Sequence, residues 1–304
     1  MFSRPNIQDS VYLIADFIEY QCLLTGNSVS STDLRSLFSM SNDEFDNDGV
    51  ESADDISIDC LEDALHECYR RSMKCVGRYP FETSQIELYD NNIAVQFKEI
   101  YCFLLLATRL NMRDQKVQSG EDATKLFEEI CAEVIKEYLG SHSKSCVFGT
   151  ASNLGFEDKV KNLIQDLHMY ADFKSPQGST EMQKDGKLDV VAWIPFADNK
   201  DGQIVAMGQC KTGNHWEEKL TELQPYNFFN DYCTGRPYAD VVRMFFVTES
   251  FGDYKWGERS NKGGVVFDRT RIMEFLPSQI PEELLSRIIK WNKGVFEKVR
   301  HQFD

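Results

Sequence analysis

This chain of 304 residues has no excess of positive charge: 33 lysines and arginines stand against 49 aspartates and glutamates, a formal net charge of −16. That argues against a simple DNA binder, because each phosphate contact draws on a Lys or Arg, and the isolated chain is expected to bind DNA weakly at physiological salt. No run of about 18 apolar residues occurs, which excludes a membrane-spanning helix of ordinary length. The stretch Met1-Phe2-Ser3-Arg4-Pro5 also lacks the basic-then-apolar pattern of a secretory leader. The expectation is a cytoplasmic protein with no membrane partner. Nine cysteines occur without a CxxC pair, and the five histidines are not grouped with them at zinc spacing. The thiols therefore read as reduced core residues, not as a metal centre or a disulfide frame. A GxxxxGK[ST] segment is missing too, which sets aside a phosphate-cradling NTPase.

What is present is 42% apolar residues, enough for one large or two ordinary cores. The acid is spread unevenly. Residues 1–150 hold 13 basic against 26 acidic side chains, whereas residues 151–304 hold 20 against 23. The second part therefore keeps the cations a polyanion needs, among them Lys211, Lys219, Arg236, Arg243, Lys255, Arg259, Lys262, Arg269 and Arg271. Small polar residues at 141–145 and 150–153 mark a junction. They divide the chain into a mostly helical acidic part, 1–145, acting as a scaffold or partner-binding unit, and an α/β part, 146–304.

Helical periodicity runs through residues 7–24, 56–76, 97–110 and 123–139, and the alternation over 81–89 predicts a strand. The acidic run from Glu44 to Asp55 comes close to EF-hand loop spacing. Asp55 stands where that loop needs a bidentate Glu, however, and Glu51 holds its apolar position, so a solvated acidic loop is expected rather than a calcium site. Two short helices and a following strand also suggest a winged-helix unit, yet the would-be recognition helix offers only Arg35. In the second part, residues 239–248 predict a buried central strand, 263–267 a short strand, and 281–299 a terminal helix that packs on the core.

The stretch that carries chemistry is residues 186–211, GKLDVVAWIPFADNKDGQIVAMGQCK. Two alternating apolar runs, 188–194 and 204–209, flank a polar turn at 198–202, which predicts a β-hairpin. The hairpin sets Asp189 on one strand and puts Gln209 and Lys211 on one face of the next, with Cys210 pointing away. A carboxylate facing an amide oxygen and an ammonium suits a Mg²⁺-dependent phosphodiesterase: oxygen ligands hold a hard cation and the lysine stabilises developing phosphorane charge. The same residues also occur on ordinary strand surfaces.

With a preceding helix at 154–167, a following helix at 212–227 and the strand at 239–248, this order resembles the PD-(D/E)XK, or restriction-endonuclease-like, superfamily, and its Gln-x-Lys form is similar to Mrr-type restriction enzymes. The resemblance covers about residues 150–275 and departs from the common pattern at Leu188, where a proline is usual, and at Gln209, where an acid is usual. It implies a Mg²⁺ site, with Mn²⁺ as a substitute. Asp189, Glu157, Gln209 and the Cys210 carbonyl would be its ligands, with Lys211 as the catalytic cation. His215, Lys219 and Gln224 become candidate substrate contacts, and Trp216 either stacks on a base or belongs to the core. It further implies cleavage of foreign DNA in bacterial defence, beside a sensor or motor subunit or as a homodimer. The alternative, favoured by the net acidity and the missing acid at Gln209, is a non-catalytic or conditionally active nucleic-acid-binding or assembly subunit with a nuclease-like fold.

Overall fold

A computed structural model describes residues 5, 9–34, 53–84, 86–175, 186–213 and 215–300, with only the backbone for 53–58 and 299–300. The calcium-loop residues up to 52 lie outside that set; Asp55 falls within a helix. The first helix, α1 (Val11–Thr25), starts where Ser10 Oγ accepts the Leu13 N–H. It packs against α2 (Ala53–Lys74) and α3 (Val95–Arg109). Beside them lies a small antiparallel sheet of β1 (Val29–Ser30), β2 (Phe81–Thr83) and β3 (Glu87–Asp90), in the order β1-β3-β2. The single strand expected over 81–89 is thus a hairpin, with Thr83 paired to Leu88 at its end. A second small hairpin, β4 (Val117–Gln118) with β5 (Glu121–Asp122), leads into α4 (Ala123–Leu139). Asp122 Oδ1 caps that helix by accepting the Thr124 N–H at 2.9 Å.

The main sheet is mixed and five-stranded. It contains β6 (Lys144–Val147), β7 (Val190–Ile194), β8 (Ile204–Lys211), β9 (Val241–Val247) and β10 (Val265–Phe267), in the order β10-β9-β8-β7-β6. Pairings β6–β7 and β7–β8 are antiparallel, whereas β8–β9 and β9–β10 are parallel. The expected hairpin is present as β7 and β8; the strand expected at the centre is β9, which is interior but second from the β10 edge, the middle place being held by β8. Helix α5 (Phe156–Asp166) lies between β6 and β7, and α6 (Pro225–Tyr232) between β8 and β9. Next come α7 (Trp256–Gly263), α8 (Arg269–Glu274) and the terminal helix α9 (Glu282–Arg300). Two expectations change here. The junction segment forms the edge strand β6, and the helix expected over 212–227 is replaced by a 3₁₀ turn, Glu217–Lys219, followed by α6.

Strand alternation divides the core. Val190, Ala192, Ala206, Met244 and Phe246 face α1, α3, α4 and α9, while Val191, Trp193, Val205 and Met207 face Val160 and Leu163 of α5 and Phe228 and Phe229 of α6. Helix α9 packs on α3, where Trp291 meets Phe103 edge-on at 5.1 Å. The boundary expected near residue 145 therefore falls inside a core that both parts share. The parts are also joined by buried charge. Asp16 pairs with Arg71 at 2.6 Å, Arg109 at 2.5 Å and Arg269 at 2.8 Å, and Glu19 pairs with Arg71 at 2.9 Å and Arg269 at 3.4 Å. Arg269, counted above among cations for a polyanion, is thus fully internal. Among the described residues no helix is long and apolar enough to cross a membrane.

Gly208 marks a close approach in the middle of β8. A Cβ there would lie 2.6 Å from Val190 Cγ2 and 2.8 Å from Phe246 Cε2. Gly208→Ala should therefore cost about 1–3 kcal/mol by overpacking, read as a lower urea midpoint. An unchanged midpoint would show that the hairpin does not sit this tightly on β9.

Candidate active site

The register of β7 on β8, Val190 against Gly208, brings the start of one strand beside the end of the other. Asp189, just ahead of β7, donates its N–H to Gly208 O at 3.0 Å, and its carbonyl accepts the N–H groups of Phe148 and Gly149 at 2.7 and 2.9 Å. Its carboxylate Oδ2 accepts the Cys210 N–H at 2.7 Å and is nearly buried. A short carboxylate extending the strand ladder in this way is held rigidly.

Gln209 follows on β8 and is wholly buried. Its Nε2 donates to Glu222 Oε2 at 2.9 Å, which fixes the amide orientation and leaves Oε1 as a buried oxygen with no hydrogen-bond partner. Such an atom loses its water without recompense unless something electropositive meets it. Lys211, half-buried, places Nζ 3.9 Å from the same Glu222 oxygen, and Lys219 approaches Glu222 Oε1 at 3.2 Å. Burial alone would raise the Glu222 pKa, but the hydrogen bonds from Gln209 and Lys219 and the nearby ammoniums of Lys211 and Lys187 outweigh it and hold the group below the usual carboxylate value. Sequence reading missed Glu222 because it lies in an irregular segment; its only local signal is the three-residue spacing from Lys219.

Glu157 is not part of this arrangement. It stands in the first turn of α5, where its carboxylate is 54% exposed and pairs with Lys161 at 2.6 Å. The face of α5 turned inward carries Val160, Leu163 and Ile164 instead, because these set the amphipathic stripe that packs on the sheet. The acid that reaches the Asp189 region is Glu128, on α4, the helix that precedes β6. Glu128 is buried and accepts from Thr150 Oγ1 and the Ala151 N–H, both at 2.8 Å. Its carboxylate lies against Gly149, where a Cβ would come within 2.7 Å, and Gly149 itself bonds to Asp189. From the other side the buried Lys159 donates Nζ to Gly149 O at 2.8 Å.

The remaining candidates divide. The Cys210 side chain sits on the opposite face from Gln209, beside Cys131 of α4; burial, the neighbouring thiol and the charges of Asp189 and Glu128 push it well up. It is a free thiol, as are the other eight cysteines. Trp216 belongs to the core, stacked on Phe251 at 4.9 Å, and its indole N–H donates to Glu249 at 2.6 Å. His215 is exposed. Gln224 immediately precedes α6 without capping it, and its Nε2 donates to Thr221 O at 3.0 Å.

Among the described residues no three His, Cys, Asp or Glu side chains form a ready metal cluster. The oxygen-bearing side chains at the end of the hairpin are Asp189 and Gln209, and Glu128 stands behind Gly149 on the α4 side with both carboxylate oxygens accepting hydrogen bonds. Hard oxygen donors of this kind suit Mg²⁺ or Mn²⁺ rather than zinc. Comparison of the chain with protein-family models, with curated proteins and with solved structures yields no match.

Proposed function

We propose that the chain is a metal-dependent phosphodiesterase acting on nucleic acid, in its specific form a DNA endonuclease of the restriction-endonuclease-like type. The observation that carries this reading is the buried, partnerless Oε1 of Gln209 next to the strand end where Asp189 is fixed. The order of elements supports it. Helix α5, Asp189 leading β7, Gln209 and Lys211 on β8, helix α6 and strand β9 follow one another in the order of the resemblance, and Glu128, on the earlier helix α4, takes the place proposed for Glu157.

In this reading Asp189, Glu128 and Gln209 hold the divalent ion, which when bound supplies Lewis acidity toward a phosphoryl oxygen and toward water. The protein's own groups do the rest. Lys211 presents a cation to the charge that develops on the pentavalent phosphorus, at a position set by Glu222. Glu222 also fixes Gln209, so one carboxylate orients both residues of the Gln-x-Lys pair. The setting we propose is bacterial defence against foreign DNA in the cytoplasm. Two copies of the chain, or a partner subunit that senses or moves on DNA, would be needed, since one centre cuts one strand. The second reading, a conditionally active subunit, is favoured by the same Glu222, which offsets the charge of Lys211.

A thermal-shift series tests the ligand set. Mg²⁺ or Mn²⁺ should raise the wild-type Tm by stabilising the form that binds it. The gain should vanish in Asp189→Asn and Glu128→Gln and persist in Glu157→Gln. Retention in Glu128→Gln with loss in Glu157→Gln would move the ligand to α5; no gain in the wild type would remove the metal from the reading.

A further inference from the structure

Beyond the carboxyl ends of the parallel strands β8, β9 and β10, where open α/β sheets place ligands, lies Arg109, the last residue of α3. The loop leaving Lys211 is tied to this helix end, because the Gly213 N–H donates to Ala107 O at 3.0 Å. On the neighbouring strand Lys211 stands opposite Val247, two residues before Glu249. Arg109 and Glu249 thus flank the segment that follows Lys211.

The Arg109 side chain is 8% exposed and its two edges are used unequally. Nε bonds Asp16 at 2.5 Å. Nη2 is buried without a hydrogen-bond partner and stands 3.7 Å from Glu249 Oε1, beyond hydrogen-bond reach. Asp16 gives it little exclusive charge, since that carboxylate is shared with Arg71 and Arg269. Those two arginines have Glu19 as a second acid, and Arg109 does not. Glu249 is a weak substitute: burial pushes its pKa up, against the hydrogen bond from Trp216 and the charge of Arg109, and its Oε2 is already taken by the indole N–H. A buried guanidinium edge whose paired acid lies beyond hydrogen-bond reach is a costly arrangement that a closer anion relieves, and the 19% exposure of Glu249 marks the open side.

We propose that the Nη2 edge of Arg109 receives a second phosphate of the nucleic-acid strand whose scissile phosphate lies at Lys211, and that this phosphate displaces Glu249. The N-terminal helices would then contribute directly to substrate binding, through the end of α3. The proposal rests on the phosphodiesterase reading above.

The test is binding of a fluorescein-labelled DNA duplex to the full chain by anisotropy, in Ca²⁺ and in EDTA, across a salt series. Arg109→Gln should bind about tenfold more weakly at low salt, the worth of one charge-assisted hydrogen bond, and its log–log salt slope should fall by about one. Glu249→Gln should act in the opposite direction and bind about fivefold more tightly, as expected for removing one negative charge about 4 Å from the phosphate in a water-like dielectric. That sign separates a ligand site from a structural role, which would make both variants neutral or weaker. If wild type binds and Arg109→Gln keeps the slope, or Glu249→Gln binds no more tightly, the Arg109 site is rejected and the phosphodiesterase reading stands. If wild type neither binds nor cleaves DNA in Mg²⁺ or Mn²⁺, both are rejected.

Discussion

Lys211→Ala should lower metal-dependent cleavage of supercoiled plasmid by about 10²–10³-fold, the usual cost of removing one preorganised group that stabilises transition-state charge. Lys187 and Lys219 also act on Glu222, but neither stands on β8 two residues from Gln209, and Lys219 reaches Glu222 through the other oxygen. The chain should keep its fold, because Lys211 is already 29% exposed and its ion pair with Glu222, at 3.9 Å, is loose enough to contribute little. An unchanged melting curve with the loss of nicking and linearisation would assign the lysine to chemistry. Cleavage at the wild-type rate would remove Lys211 from the site, and with it the Gln-x-Lys basis of the proposal.

Asp16→Ala should be the most destabilising single change of this series, at about 3–5 kcal/mol, because it leaves Arg71, Arg109 and Arg269 buried with one acid fewer among them. Burial by itself would raise the Asp16 pKa. The guanidiniums of Arg109, Arg269 and Arg71 overcome that and hold the carboxyl far below the usual carboxylate range. A folded-state value depressed below the unfolded one contributes stability above the unfolded value, about 3.9, and loses it progressively as pH falls below that value toward the folded one. Wild type should therefore weaken steeply between about pH 4 and pH 2. Asp16→Ala should start lower and lose less over the same interval. Urea midpoints for both at pH 7 and pH 3 decide the matter: equal losses on acidification would show that Asp16 is not the group whose protonation loosens the fold.

The hairpin and its three polar residues were legible because period-two alternation with a polar turn is a local signal, and alternation alone sets Gln209 and Lys211 on one face. Which acid lies nearer the hairpin was not. Glu128 and Glu157 both sit on amphipathic helices, and which helix end meets the start of β7 is decided by how α4 and α5 dock, a matter of shape rather than composition. Strand β6 was hidden for another reason. Its residues, Lys-Ser-Cys-Val, form a half-exposed edge of four and carry the polar content of a linker. The internal arginines escaped notice because a sequence gives charge without depth. Arg71, Arg109 and Arg269 are far apart along the chain and are brought together by the packing of α1, α2, α3 and α8.

The shared core bears on how such a gene can change. Helix α4 belongs to the acidic part by position, yet it covers Val190, Ala192 and Ala206 of the sheet and carries Glu128. A recombination breakpoint near codon 145 would separate the sheet from that cover and from one of the two carboxylates near its hairpin. The acidic part is thus not a cassette that can be exchanged between relatives. Where it evolves, it must do so residue by residue, in step with the sheet it encloses.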